Sequence, residues 1–181
     1  MPIRNLNKIF NPERVAVIGG SDKANSVGAT VLTNLVTTGF AGDVYPVNPK
    51  YQKIGEQPCF ASVGDLPEPV DLAVICTPAA TVPDLIRQCG ENGIMGVVII
   101  SAGFRETGPE GKELELEIAR VASEFDGMRI VGPNCLGFMA PHTCLNASFA
   151  SDTPPKGHVA FISQSGALCT SVLDWALDEN I

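Results

Sequence analysis

The sequence predicts a doubly wound parallel α/β sheet. Three observations lead there. Short apolar runs bounded by Gly, Pro or Asp recur along the chain, each the length of a strand buried on both faces. Stretches with apolar residues at helical spacing lie between them. A glycine-rich loop joins the first run to the first helical stretch. Strands alternating with helices in this way form βαβ units, whose crossovers make the strands parallel.

The elements follow in order. RVAVIG (14–19) is the first strand. Residues 27–38 place Val27, Val31, Leu32 and Leu35 on one helical face, and Gly39 stands where that helix should stop. DVYPVN (43–48) is the second strand, and Pro46 assigns it to an edge or an irregular position. LAVICT (72–77) and GVVIIS (96–101) are the third and fourth strands. Between them, residues 81–89 follow Pro78 and carry Val82, Leu85 and Ile86 on one face. Residues 109–125 form a longer helix with Leu114, Ile118 and Val121 inward and glutamates outward, and MRIVG (128–132) is the fifth strand. Residues 142–158 have no sustained period and contain two prolines, which reads as a linker. VAFIS and GALCTSVLDWALDENI then begin strand, loop and helix again. The expected organisation is one domain over 1–141, a linker over 142–158, and the first strand and helix of a second α/β domain over 159–181. A lone βα pair cannot bury itself. The stripe of Leu168, Val172, Leu173 and Trp175 is therefore expected to seek a partner, possible in a homodimer.

Composition narrows the function. Of 181 residues, 45% are hydrophobic and 18% charged, and the net charge is −8 with no Lys/Arg cluster. That argues against nucleic acid as a partner. No apolar run is long enough for a membrane span, and the N-terminus lacks the apolar core of a secretory signal. The six cysteines include no Cys-x-x-Cys pair and there are two histidines, so no zinc site is expected and a reducing cytoplasm is. A polyanionic small ligand remains open, held by backbone dipoles and a few placed cations.

The first loop, GGSDKANSVG, points to such a ligand. Gly19 and Gly20 are adjacent and the next glycine is Gly28, so the Gly-x-Gly-x-x-Gly spacing of dinucleotide sites is absent. Adjacent glycines can turn sharply out of a strand, Ser21 and Ser26 add hydroxyls, and the unsatisfied amides of the following helix favour an anion. NAD-binding chains carry an acid after the second strand. Here VNPKY supplies Asn48 and Lys50, and a base suits the extra ribose phosphate of NADP or coenzyme A. Lys50 reads equally as a solvated lysine after a turn.

With these residues in hand, the chain resembles the coenzyme A-binding domain of NDP-forming acyl-CoA synthetases, relatives of the succinyl-CoA synthetase α subunit. The carrying stretches are VAVIGGSDKANSVG, VYPVNPKY, VDLAVICTPA, VVIISAGFRETG, IVGPNCLGF, LNASFA and ISQSGAL, in family order over residues 10–175. The resemblance implies a Rossmann-like domain followed by a flavodoxin-like one. It implies that Gly19, Gly20, Ser21, Asp22, Lys23 and Ala24 hold coenzyme A phosphates and adenosine. Val47, Asn48 and Lys50 fall at the nucleotide end, Thr77, Pro78, Ile100, Ser101 and Ala102 along the ligand, and Asn134 and Cys135 near the thiol. Ser163, Ser165 and Gly166 match a helix N-terminus aimed at a phosphate. Thr170 departs from the pattern, since α-subunit relatives carry a tyrosine nearby.

The implied family reaction is acyl-CoA + ADP + phosphate ⇌ acid + CoA + ATP, through an acyl phosphate and a phosphohistidine. That histidine and the nucleotide-grasp domain lie outside this chain. ADP/ATP and Mg, and the remaining synthetase domains or β subunit, are therefore expected only for a longer parent. This piece should bind coenzyme A or its thioesters without turning over alone. The same domain heads fused protein lysine acetyltransferases, where it would sense acetyl-CoA, and an NAD(P) oxidoreductase or redox sensor is a third reading.

The remaining candidates have plainer readings. His142 reads as a linker residue and His158 as solvent-facing. Cys135 shapes a pocket, because no base adjoins it in sequence, and Cys76 and Cys89 read as small core residues. Asp22 would repel phosphate, so it caps the loop's amides or points outward. Arg105 reads as a surface residue, and Glu113, Glu115 and Glu117 as a solvated helix face.

Overall fold

A computed structural model describes residues 4–179. The elements are α1 Asn7–Phe10, β1 Arg14–Ile18, α2 Val27–Thr37, β2 Asp43–Val47, β3 Lys53–Ile54, β4 Gln57–Pro58, β5 Leu72–Ile75, α3 Val82–Glu91, β6 Gly96–Ile99, α4 Pro109–Ser123, β7 Arg129–Val131, β8 Gly137–Ala140, β9 Leu145–Ser148 and α5 Gly166–Asp178. The main sheet has the order β2-β1-β5-β6-β7, with every pair parallel. From β1 the chain builds outward to β2 on one side and to β5 on the other. The order therefore reverses at the β1/β5 boundary, where open α/β sheets leave a crevice at the carboxyl ends of the strands.

The strand period of two sorts the core into two layers. Ala16, Ile18, Ala73, Ile75, Val97 and Ile99 face α3 and α4, where Val82, Ile86, Ile118 and Val121 cover them. Val15, Val17, Leu72, Val74 and Val98 face the other way, against Val31, Leu32 and Leu35 of α2 and Ile9 of α1. Leu145 and Ala147 join this second layer.

That last contact corrects one expectation. Residues 142–158 were expected to be a linker, yet Leu145–Ser148 is a fully buried strand pairing antiparallel with β8. Asn34 of α2 donates its side-chain amide to the carbonyls of Ser148 and Ala150, both at 2.9 Å. The Thr38 hydroxyl donates to the Cys144 carbonyl at 2.8 Å. Asn146, also buried, accepts from the Ser148 amide at 3.2 Å and hydroxyl at 2.6 Å, and donates to Thr153 at 2.7 Å. Its polar groups are satisfied internally, so a sequence that looks loop-like is buried without penalty.

VAFIS, expected as a strand, has no strand structure, and Val159 and Ile162 are 82% and 90% exposed. A strand needs a neighbour for its ladder, and none of the described residues supplies one. Helix α5 forms after it but buries no residue.

Other expectations hold. β2 is the sheet edge, and Pro46, which has no N–H to give, accepts through its carbonyl from the Phe60 amide at 3.0 Å. Gly39 follows α2 with φ +77.

At the amino ends of the strands, Asp71 ties β5 to β1. Its carboxylate accepts from the amides of Glu13 at 2.8 Å and Arg14 at 3.3 Å and pairs with Lys8. Burial alone would push the carboxyl up, but the Lys8 and amide hydrogen bonds together hold it below the usual carboxylate range. A carboxyl lowered on folding stabilises above its unfolded pKa, about 4, and loses that contribution as pH falls through the folded value. Asp71→Asn is expected to lower stability at neutral pH by about 1–3 kcal/mol, with the difference from the native chain closing in acid, as read by urea unfolding across pH.

Candidate functional site

The site is built where β1 ends. Gly19 turns with φ +90, its amide donating to the Val47 carbonyl at 2.9 Å. A Cβ on Gly19 would lie 2.9 Å from the Thr77 methyl and 3.0 Å from the Cys76 carbonyl carbon. A Cβ on Gly28 would lie 2.1 Å from the Gly19 carbonyl oxygen. The first turn of α2 thus rests directly on the end of β1, and the loop of residues 20–26 is thrown outward over the crevice. Gly28 performs the close helix-to-strand packing that the third glycine of a dinucleotide fingerprint performs, despite its different spacing.

Ser26 is the N-cap of α2, its hydroxyl accepting from the Ala29 amide at 3.3 Å. That hydroxyl closes the helix and is not free for a ligand. The amides of Val27 and Gly28 have no intramolecular partner among the described residues. The Ser21 hydroxyl accepts from the Lys23 amide at 3.0 Å and lies 3.3 Å from the Tyr51 hydroxyl. Asp22 is exposed and leaves capping of the loop to Ser21; Lys23 and Ala24 are exposed beside it.

The turn after β2 is fastened to this loop. Asn48 donates its side-chain amide to the Gly20 carbonyl at 2.8 Å and accepts from the Lys50 amide at 3.0 Å. Val47 is buried and contributes its carbonyl to the floor. The Lys50 side chain is exposed and makes no ion pair among the described residues. Tyr51, which the sequence reading did not single out, bridges the two loops through Ser21. Its place directly after Lys50 was visible, but its partner lies thirty residues away.

The next strands supply the rest of the rim. The Thr77 and Thr81 hydroxyls are 2.8 Å apart after β5, with Pro78 exposed between them. After β6, Ile100 donates its amide to the Ile75 carbonyl at 3.0 Å, and buried Ser101 spends its hydroxyl on the same carbonyl at 3.3 Å. Ala102 is exposed. After β7, Asn134 adopts φ +52 and donates its amide to the Ser101 carbonyl at 3.0 Å. The Cys135 sulfur lies 3.2 Å from the Ile99 carbonyl oxygen, and burial pushes its thiol up. Burial and the neighbouring Cys135 push the Cys76 thiol up to about 12. Both are protonated at neutral pH, the opposite of what a nucleophile needs.

Residues 47–50, 19–24, 77–78, 100–102 and 134–135 therefore follow one another along the carboxyl edge of the sheet. Ser163, Ser165 and Gly166 are not brought into that row by any hydrogen bond. Ser163 accepts from the Ser165 amide at 3.0 Å and Ser165 from the Leu168 amide at 3.3 Å, so both close the start of α5. His142 lies 2.8 Å from the Gly157 carbonyl, and His158 is exposed. Arg105 forms a two-pronged surface pair with Glu115 at 2.8 and 2.5 Å.

A recess of about 380 Å³ adjoins the first loop, walled by Ser21, Ala24, Asn25, Thr30 and Ile54. A larger one of about 470 Å³ lies along the outer edge of β2 beside Phe40, Tyr45 and Phe60 and shares no residue with the loop. Unpaired amides at a helix N-terminus, with Lys23 in the preceding loop and Lys50 on the turn fastened to that loop, favour a phosphate-bearing ligand.

Known proteins share this chain's sequence and fold. A family model described as a CoA binding domain matches residues 13–141. The chain is 47% identical to the ADP-forming acetate–CoA ligase I of Archaeoglobus fulgidus over 94% of its length, spanning 24% of that protein. It is 45% identical to the α subunit of ADP-forming acetate–CoA ligase II of Pyrococcus furiosus over 97% of its length, spanning 38% of that subunit. Among solved structures, the dinucleotide-forming acetyl-coenzyme A synthetase 1 of Ca. Korarchaeum cryptofilum, in complex with phosphate and ADP, superposes with a TM-score of 0.91 at 41% identity. That match covers 97% of this chain and 37% of the synthetase.

Gly→Ala in an ordinary helix stabilises by about 1 kcal/mol. At Gly28 the added methyl meets the Gly19 carbonyl, so Gly28→Ala is expected to destabilise by about 1–3 kcal/mol in urea unfolding.

Proposed function

The chain belongs to the CoA binding domain family, and from that premise we propose that it is the coenzyme A-binding portion of an ADP-forming acyl-CoA synthetase. It spans 24% and 38% of the ligases it resembles, so the ligase reaction itself would be completed by parts outside it. The observation that carries the reading is the joined pair of loops at the carboxyl ends of β1 and β2. Asn48 locks the β2 turn to the glycine loop through Gly20 and also accepts from the Lys50 amide, so the turn that carries Lys50 is tied to the loop that leads into α2.

The residues present fit the cofactor. Backbone amides of the first loop would take the diphosphate, and Lys50 the phosphate on the ribose, which NADH lacks. The amides of Ser101 and Ala102 have no intramolecular partner among the described residues and suit the pantetheine amides. Asn134 keeps its side-chain amide for the thiol end. Coenzyme A supplies the thiol that carries the acyl group; this chain's part is to hold and orient it. Lysine at position 50, where an NAD site would place an acid, argues against the oxidoreductase reading.

Calorimetric titration with coenzyme A, 3′-dephospho-coenzyme A and NADH tests this. Coenzyme A is expected to bind best. Lys50→Ala is expected to cost roughly tenfold in affinity for coenzyme A and little for the dephospho form, about 1.4 kcal/mol of lost preference. Equal loss for both would remove Lys50 from the phosphate site, and tighter binding of NADH would overturn the proposal.

A further inference from the structure

The loop that leaves β6, residues 100–104, forms the wall of the crevice beyond β5. It is pinned from below by the Ser101 hydroxyl on Ile75 and from the side by the Asn134 amide on the Ser101 carbonyl. Phe104, fully buried, anchors its far end. Between these points Gly103 has φ +111, and a Cβ there would lie 3.0 Å from the Cβ of Ala79. Gly103 is thus where the β6 loop touches the β5 loop that carries Thr77 and Pro78.

One side chain holds this junction. Glu106 Oε1 accepts from the Gly103 amide at 2.6 Å and from the Phe104 amide at 3.1 Å. Glu106 is exposed, so the contact is not a by-product of core packing. The Gly103 amide, with its own and that of Phe104, holds the carboxyl below the usual range, which keeps the acceptor ionised at neutral pH. Two backbone donors are thereby occupied, while those of Ser101 and Ala102 are left unpaired among the described residues.

We propose that Glu106 is a positioning residue for coenzyme A: by binding the amides of Gly103 and Phe104 through one oxygen, it fixes the β6 loop in the form that presents the Ser101 and Ala102 amides to the ligand. The inference rests on the coenzyme A reading. Glu106 acts through the loop and not on the ligand, so an acceptor oxygen at the same reach suffices and the negative charge does not. Glutamine keeps that oxygen. Alanine removes it, and aspartate keeps the charge but falls one methylene short.

The test combines two readouts on the chain and its Glu106→Ala, Glu106→Asp and Glu106→Gln variants. Amide exchange by NMR reports whether Gly103 and Phe104 are held, without any ligand. Calorimetry reports coenzyme A affinity. Alanine and aspartate are expected to lose exchange protection at both amides and to weaken coenzyme A roughly tenfold, a step of about 1.4 kcal/mol. Glutamine is expected to restore both, to within about threefold in affinity, about 0.65 kcal/mol. Should alanine fail to fold, aspartate gives the same comparison. Unchanged affinity or unchanged protection in the folded short variants overturns the proposal. So does a glutamine variant with protected amides but weak binding, which would put the charge itself on the ligand. Failure of the native chain to bind coenzyme A overturns the coenzyme A reading and the role built on it. Loss of protection in the short variants would then show a loop clasp alone.

Discussion

The contact between the Gly28 backbone and the Gly19 carbonyl organises the functional end of this molecule. With 2.1 Å between that oxygen and the place a Cβ would occupy, no other residue type fits at position 28 without moving the helix or the strand. Because α2 begins against the end of β1, its free amides stand at the carboxyl end of that strand and the intervening loop must project outward. Glycine at 19 does the complementary task, turning the chain where Cys76 and Thr77 leave no room for a side chain. A longer loop than the dinucleotide pattern still delivers the same geometry, since what matters is the two close approaches and not the count of residues between them.

The rim is then assembled by polar side chains that spend themselves on backbone. Asn48 joins the first two loops, the Ser101 hydroxyl ties the β6 loop to the end of β5, the Asn134 amide joins the last two loops, and Glu106 clasps the turn where the β5 and β6 loops meet. The amides of Val27, Gly28, Ser101 and Ala102 stay unpaired among the described residues. A chain of net charge −8 can present a local anion site in this way, because amides act at short range while carboxylates elsewhere on the chain are screened, and Asp22, the one acid in the first loop, is exposed to solvent.

The layer opposite α3 and α4 shows how the sheet is closed without a third helix on that side. The hairpin β8–β9 lies on α2, clamped by Asn34 and Thr38, and buries Leu145 and Ala147. Leu145–Ser148 belongs to the fold of the sheet domain, whereas Val159, Phe161 and Ile162 remain exposed ahead of α5.

Local sequence determined the parallel sheet, its five strands, the edge position of β2 and the stop at Gly39, because buried runs, helical spacing and a proline are signals read within a few residues. It also pointed to the loop after β1 and to Lys50, since glycines and a base in place of an acid carry chemistry in their identity. What the tertiary structure decided depends on partners far along the chain. Leu145–Ser148 looked like linker because Asn146 and Ser148 are polar, and only their mutual hydrogen bonds make them a core strand. VAFIS looked like a strand because it is apolar, but a ladder requires a neighbour. Ser26 looked like a ligand hydroxyl and is a helix cap, while Tyr51 and Glu106 take their roles from amides and hydroxyls that folding alone sets within reach.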